Sequence, residues 1–435
     1  MKTVRLLLIA IGIGALVWAN ASAGGRQEAT ERGRVPDEGR EQSQSEDTAQ
    51  RQTVQQPQEL MRRVSAVGAR FGAQGGTWTE VELPEEYQGQ PAPAGTGRDF
   101  RTDFSRAAIS YEDIVAGGPP KDGIPSIDEP LFVDVESANA WLEENEPVIL
   151  YRAGGQARVY PLQILTWHEI VNDTAGDKPI AVTYCPLCNT GMVFDRRFDD
   201  TVFEFGVSGR LIYSNMIMYD RTSESWWIQA SGQAIAGEFA GQRLRLLPSS
   251  MLSWRDVRRS YPEAEVLSRD TGYRRNYGRN PYLRYDSAER PFLYRGPEVV
   301  PEDQNPMERV LTVYHGDAVA AVPYSLLHEE GIVELELDGE AIVVFGQPGT
   351  ASALDAQRIS DGKDVGSAAA FYAEAEGRRL SFDREDGVFR DRETGTTWSI
   401  TGRGISGRYS GVQLEQALAV EHFLFSYRAF HQASE

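Results

Sequence analysis

Cysteine is almost absent from this 435-residue chain: the two it has, Cys185 and Cys188, are separated by two residues. Two thiols are too few for a disulfide framework, so stability has to come from apolar cores. Histidine occurs five times and lysine four, at Lys2, Lys121, Lys178 and Lys363, which leaves arginine to carry nearly all positive charge. Basic residues are outnumbered 64 to 44 by acidic ones, a formal net charge of −20. That balance argues against a nucleic-acid backbone or an anionic membrane surface as partner. Long apolar runs are missing too. The one candidate, Leu6 to Ala19, is shorter than the roughly 18 residues a membrane span needs.

That apolar run follows the basic start Met1-Lys2-Thr3-Val4-Arg5 and precedes Ala21-Ser22-Ala23, the small-x-small pattern of a signal-peptidase site. Residues 1–23 therefore read as a secretory signal peptide, and the protein as exported, periplasmic or extracellular, with no membrane span after processing. Residues 24–103 read as a disordered or weakly ordered tail. Arg, Glu, Gln, Ser and Thr dominate to about Gln58, "GTWTEVELPEEY" suggests one short strand, and "QPAPAGTG" is linker-like. The folded body is expected from about Phe104, and "GGPPKDGIPSIDEP" (117–130) reads as an ordered turn-rich loop anchored by Ile124 and Ile127.

An internal repetition organises the body. "DRTSESWWIQASGQAIAGEFAGQRL" (220–244) and "DRETGTTWSITGRGISGRYSGVQL" (391–414) share Asp-Arg-x5-Trp followed by Gly-x2-Ile-x-Gly-x3-Gly-x2-Leu. Upstream, "EPVILYRAGGQARVYPLQIL" (146–165) resembles "RVLTVYHGDAVAAVPYSLL" (309–327), and "PIAVTYCPLC" falls on "EAIVVFGQPG". This alignment sets Gly346 and Gly349 opposite the two cysteines and Glu330 opposite His168. The expected architecture is α+β and β-rich, two duplicated units related by a pseudo-twofold, 104–290 and 291–435. Alternating runs such as 201–209 and 214–220 have the period of half-buried strands, and helices are expected over 161–172 and about 250–260.

The chemistry concentrates around the cysteines. Ile164, Leu165, Trp167, His168 and Val171 share one face of the expected helix, which turns His168 inward. The next segment, "KPIAVTY", is apolar and β-branched and ends at Cys185. Cys-Pro-x-Cys at a strand end resembles a metal knuckle, with Pro186 fixing the turn and Asn189 tolerating a left-handed backbone. With His168 the set would be Cys2His, suited to zinc with an open position or to trigonal Cu(I). Glu169 would be the general base on metal-bound water. Two other readings fit the same residues: a thiol-disulfide oxidoreductase using Cys185 and Cys188, and a binding module with a static disulfide. Partners under the metal reading are a small molecule or a metal-delivery protein. Met192, Met216 and Met218 are soft enough for copper but also suit packing.

Five stretches in order, "GGPPKDGIPSIDEP", "YPLQILTWHEIVND", "VTYCPLCNTGMVFD", "FGVSGRLIYSNMIMYDR" and "WWIQASGQAIAGEFAG", resemble the domain of unknown function 3179 (DUF3179), found in exported bacterial and archaeal proteins. The resemblance covers about residues 104–430. It implies that His168, Glu169, Asn172, Cys185, Pro186 and Cys188 belong to the family's pattern, and it supplies no activity.

Overall fold

The computed structural model describes residues 75–96 and 98–431; the signal-peptide expectation and most of the expected tail lie outside them. The described chain is β-rich with few, short helices, built almost wholly from antiparallel pairs. Among the described residues no helix is long and apolar enough to cross a membrane.

The first half opens with a hairpin, Pro147–Ala153 and Gln156–Pro161, then a seven-residue helix, Leu162–His168, then a second hairpin, Ile170–Ala175 and Lys178–Cys185. Val, Ile and Tyr fill these strands, residues whose branched or planar side chains pack well on a pleated surface. The helix expected over 161–172 stops at His168. Glu169 takes a left-handed backbone (φ 59°) that ends it, and Ile170-Val171 begin a strand whose register joins Ile170 to Thr183. Helical spacing and a buried strand leave the same short apolar trace, so periodicity alone does not separate them. After the cysteines, Thr190–Asp195 pairs back on the Lys178–Cys185 strand, and Phe205–Ile212 and Asn215–Asp220 form the next long hairpin. The second expected helix is Trp254–Ser260, capped by the Ser253 side chain on Asp256 N–H.

The second half repeats the order of elements: Arg309–His315 with Ala318–Pro323, the helix Tyr324–Glu330, then Ile332–Leu337 with Glu340–Gln347. Gly331 (φ 73°) ends this helix where Glu169 ends the other. Pairing Ile332 with Phe345, as Ile170 pairs with Thr183, aligns Gln347 with Cys185 and Thr350 with Cys188. The offset is one residue from the alignment by sequence, and it superposes Pro348 on Pro186. Glu330 stays opposite His168. Downstream, Asp220 accepts from Ser223 N–H and from Trp227 Nε1 (2.6 and 3.1 Å), and Asp391 accepts from Thr394 N–H and Trp398 Nε1 (2.6 and 3.0 Å). Both tryptophans are buried. The repeated Asp-Arg thus fixes a turn under a core tryptophan.

Order begins earlier than Phe104. Gln242 brackets the backbone of Thr79, Gln88 Nε2 donates to Ala107 O (2.7 Å), and Phe100 and Phe104 meet Trp226 edge-on. "GTWTEVELPEEY" contains no strand; it ends in a 3-10 turn, Glu85–Tyr87. The 117–130 loop is fixed as its Pro and Gly content suggests. Ile127 exchanges backbone bonds with Ile170 and Asn172 (2.9 and 2.8 Å), and the loop lies so close on the Phe205–Ile212 strand that a Cβ at Gly209 would stand 2.2 Å from Pro119 O.

Candidate functional site

Cys185 closes its strand, Pro186–Cys188 forms one 3-10 turn with Pro at its first position, and Asn189 (φ 49°) turns the chain into Thr190–Asp195. Both thiols are free and buried, at 2% and 0% exposure, and Cys188 is near enough to bear on the titration of Cys185. Cys185 also donates to Ser214 O, 3.7 Å away. Burial pushes the Cys185 thiol well above its ordinary range, with the neighbouring Cys188 and the Glu169 charge adding to the shift. The surroundings are apolar and rich in soft sulfur: Met192, Met216, Met218, Ile170, Phe205 and Phe423 belong to the same core cluster.

Glu169 is buried next to this pair. Its carboxyl is reached by Tyr282 Oη at 3.4 Å, and desolvation raises its pKa to about 7. A buried carboxyl on a left-handed, non-glycine residue is strained twice over. The equivalent helix end in the second half uses glycine, which adopts that backbone without a Cβ clash. Ser214 (φ 64°) and Tyr213 (φ 48°) add a hairpin turn with two left-handed residues, neither of them Gly or Asn. Strain of this kind gathers at functional sites because the surroundings have to hold it in place.

Glu169, Leu187 and Met216 line a cleft of about 540 Å³. Its other walls come from the 117–130 loop, from the Phe205–Ile212 strand and from the 281–292 stretch of the segment joining the two halves. Of the Cys-Pro-Leu-Cys turn only Leu187 belongs to this lining. Sequence reasoning missed the joining segment altogether. Within "YRRNYGRNPYLRYDSAERPFLYRG" (273–296), Tyr277 reaches His168, Tyr282 reaches Glu169, and Tyr285 Oη donates to Leu187 O at 2.8 Å, inside the Cys-Pro-Leu-Cys turn. The density of Tyr and Arg there was the available signal.

The structure brings Glu169, Cys185 and Cys188 together and turns His168 elsewhere. Its Nδ1 lies 2.8 Å from Pro125 O, an acceptor only, so Nδ1 carries the proton; Nε2 then accepts from Tyr277 Oη at 2.7 Å. Thr271 Oγ1 completes the chain on Tyr277. Desolvation lowers the His168 pKa to about 4, which matches a neutral ring with both nitrogens occupied. Asn172 is equally committed, to Asp128, Phe205 O and Phe205 N–H. Arg196 spends its guanidinium on the carbonyls of Ile180, Phe203 and Asp173. Among the described residues, no three His, Cys, Asp or Glu side chains are arranged as a metal-holding group.

Behind the turn lies a buried polar network that spans the two halves. Tyr184 Oη donates to Asn189 Oδ1 (3.1 Å), Asn189 Nδ2 donates to Glu421, and Glu421 pairs with Arg309 at 2.6 Å. Arg309 continues to Asp286 (3.6 Å), and Tyr324 Oη donates to the second Glu421 oxygen (2.6 Å). The residue after Cys188 is thereby held by side chains from the second half and from the joining segment.

No curated protein and no solved structure is detectably similar to this chain. Residues 121–434 match the family described as protein of unknown function (DUF3179), and by that coverage the chain belongs to the DUF3179 family.

Proposed function

We propose that this is an exported soft-metal-binding protein that holds Cu(I) between Cys185 and Cys188, for metal handling or a metal-dependent reaction. The observation that carries the reading is a pair of free thiols at the two ends of one tight turn, buried among methionines and aromatic rings. Two thiolates suit Cu(I), whereas Zn(II) is almost always four-coordinate in structural sites. His168 gives both nitrogens to Pro125 and Tyr277, so it is not counted as a ligand. Ligating sulfurs have to lose their protons. Glu169, buried beside Cys185 and lining the cleft, takes them one at a time, giving the first to the water of the cleft before it accepts the second; this is its general-base role.

A second reading, thiol-disulfide exchange, draws on the same pair of free thiols. The burial of both sulfurs and the raised Cys185 pKa weigh against it, since exchange requires an accessible thiolate. We also infer that the two halves are duplicated units and that only the first carries the site. The matched order of elements, the two Asp-Trp turns and the Gln347-Pro348-Gly349-Thr350 counterpart of Cys-Pro-Leu-Cys support this.

The test is metal content by mass spectrometry with a parallel thiol count, on protein purified anaerobically and offered Cu(I). About one equivalent of copper, lost in Cys185→Ser and in Cys188→Ser but kept in His168→Ala, supports the metal reading. A copper-free protein that cycles between two thiols and none would favour exchange.

A further inference from the structure

The mouth of the cleft is basic, although the chain as a whole is strongly acidic. Between residues 269 and 295 the joining segment carries seven arginines against Asp270, Asp286 and Glu289. Asp286 is itself engaged by Arg309 and Lys363. Arg210 and Arg284 both line the cleft. Among the described residues neither guanidinium has a carboxylate within ion-pair distance; Arg210 Nη2 donates to Gly95 O at 2.8 Å, which pins that side chain at the rim. Arg284 is held there by a left-handed backbone (φ 60°) and by its N–H on Asp355 O, at 2.8 Å.

The same cleft displays large apolar side chains to solvent. Leu283 is 55% and Phe292 57% exposed, and both line it, with Leu187, Val207 and Leu211 deeper in. Two exposed hydrophobes beside two cations without acidic partners form an amphiphilic surface around a concavity. At about 540 Å³ it falls in the range of roughly 300–1,000 Å³ usual for small-molecule sites.

We propose that this cleft binds a small organic anion with an apolar body. The carboxylate, sulfonate or phosphate head is held by Arg210 and Arg284, and the body lies on Leu283 and Phe292. Charge complementarity chooses the head, since a guanidinium fork without a protein partner matches an oxyanion. The lining sets the direction: the arginines, Leu283 and Phe292 are at the rim while Val207, Leu211 and Glu169 are buried, so the head stays outward and the body extends inward from Leu283 and Phe292. This site does not depend on what the thiols bind.

Two fluorescent probes with similar bodies test it on the full chain: anilinonaphthalene sulfonate and its uncharged parent, phenylnaphthylamine. The expected result is saturable binding of one sulfonate probe per chain, about tenfold or more tighter than the parent at low salt, as one or two charge-assisted contacts provide. In Arg210→Gln/Arg284→Gln that preference collapses to within about twofold, while Phe292→Ser weakens both probes. Arg284→Gln alone alters one exposed side chain; it halves the preference at least, and its circular dichroism confirms an intact fold. Cys185→Ser leaves sulfonate binding unchanged, which separates this site from the metal reading. Equal affinity for the two probes, or a preference that survives in the double variant, overturns the proposal.

Discussion

At the residue scale, His168 and Glu169 are neighbours with opposite fates. The histidine serves the fold: it ties the 117–130 loop, through Pro125, to the joining segment, through Tyr277. His168→Ala removes a buried ring and orphans two polar groups, for an expected loss of about 2–4 kcal/mol in denaturant unfolding with copper stoichiometry unchanged. Glu146 supplies the pH dependence near the same helix. It is buried, it accepts from Gln163, and desolvation raises its pKa to about 7. An acid whose folded pKa lies above its unfolded value contributes fully at low pH. Stability is then lost as pH rises from about 4.5 to about 7, because the unfolded chain releases its proton first. Glu146→Gln should therefore gain on wild type by roughly 2–3 kcal/mol between pH 4.5 and 8. Parallel urea titrations at the two pH values check both size and sign.

At the element scale, much was legible in the sequence. The Cys-Pro-Leu-Cys turn at a strand end, the left-handed Asn189, the ordered 117–130 loop and the helix near 250–260 follow from proline, asparagine and β-branched residues acting locally. The helix end at Glu169 was not legible. A carboxylate in a left-handed conformation defies local preference, and tertiary contacts impose it. The direction of His168 depended on that end, and its ring nitrogens bond Pro125 and Tyr277. The one-residue offset between halves also came from hydrogen-bond register, which sequence similarity does not fix. Gly209 makes the loop contact testable. Its positive φ and the 2.2 Å approach of Pro119 O to a built Cβ predict that Gly209→Ala destabilises by about 2 kcal/mol or more. The variant should also raise hydrogen exchange at Asp122, whose N–H bonds Val207 O at 2.9 Å.

At the scale of the whole molecule, the second half explains why the turn carrying the cysteines is rigid. Asn189 is held by Glu421, Glu421 by Arg309 and Tyr324, and Arg309 reaches Asp286 in the joining segment. Arg309→Met would leave the buried Glu421 without its cation and Asp286 with Lys363 alone, for an expected cost of about 3–5 kcal/mol seen as a lower urea midpoint. The acidic chain closes a basic, tyrosine-rich segment over its own cysteines, an arrangement that neither composition nor periodicity reveals. The central claim is that two sulfurs, without His168, hold the metal. X-ray absorption at the copper edge on the anaerobically Cu(I)-loaded protein tests it most directly. The account predicts a shell of sulfur scatterers with no imidazole signature, identical in His168→Ala. An imidazole contribution that disappears in His168→Ala, or a reduced protein that retains no copper, would contradict it.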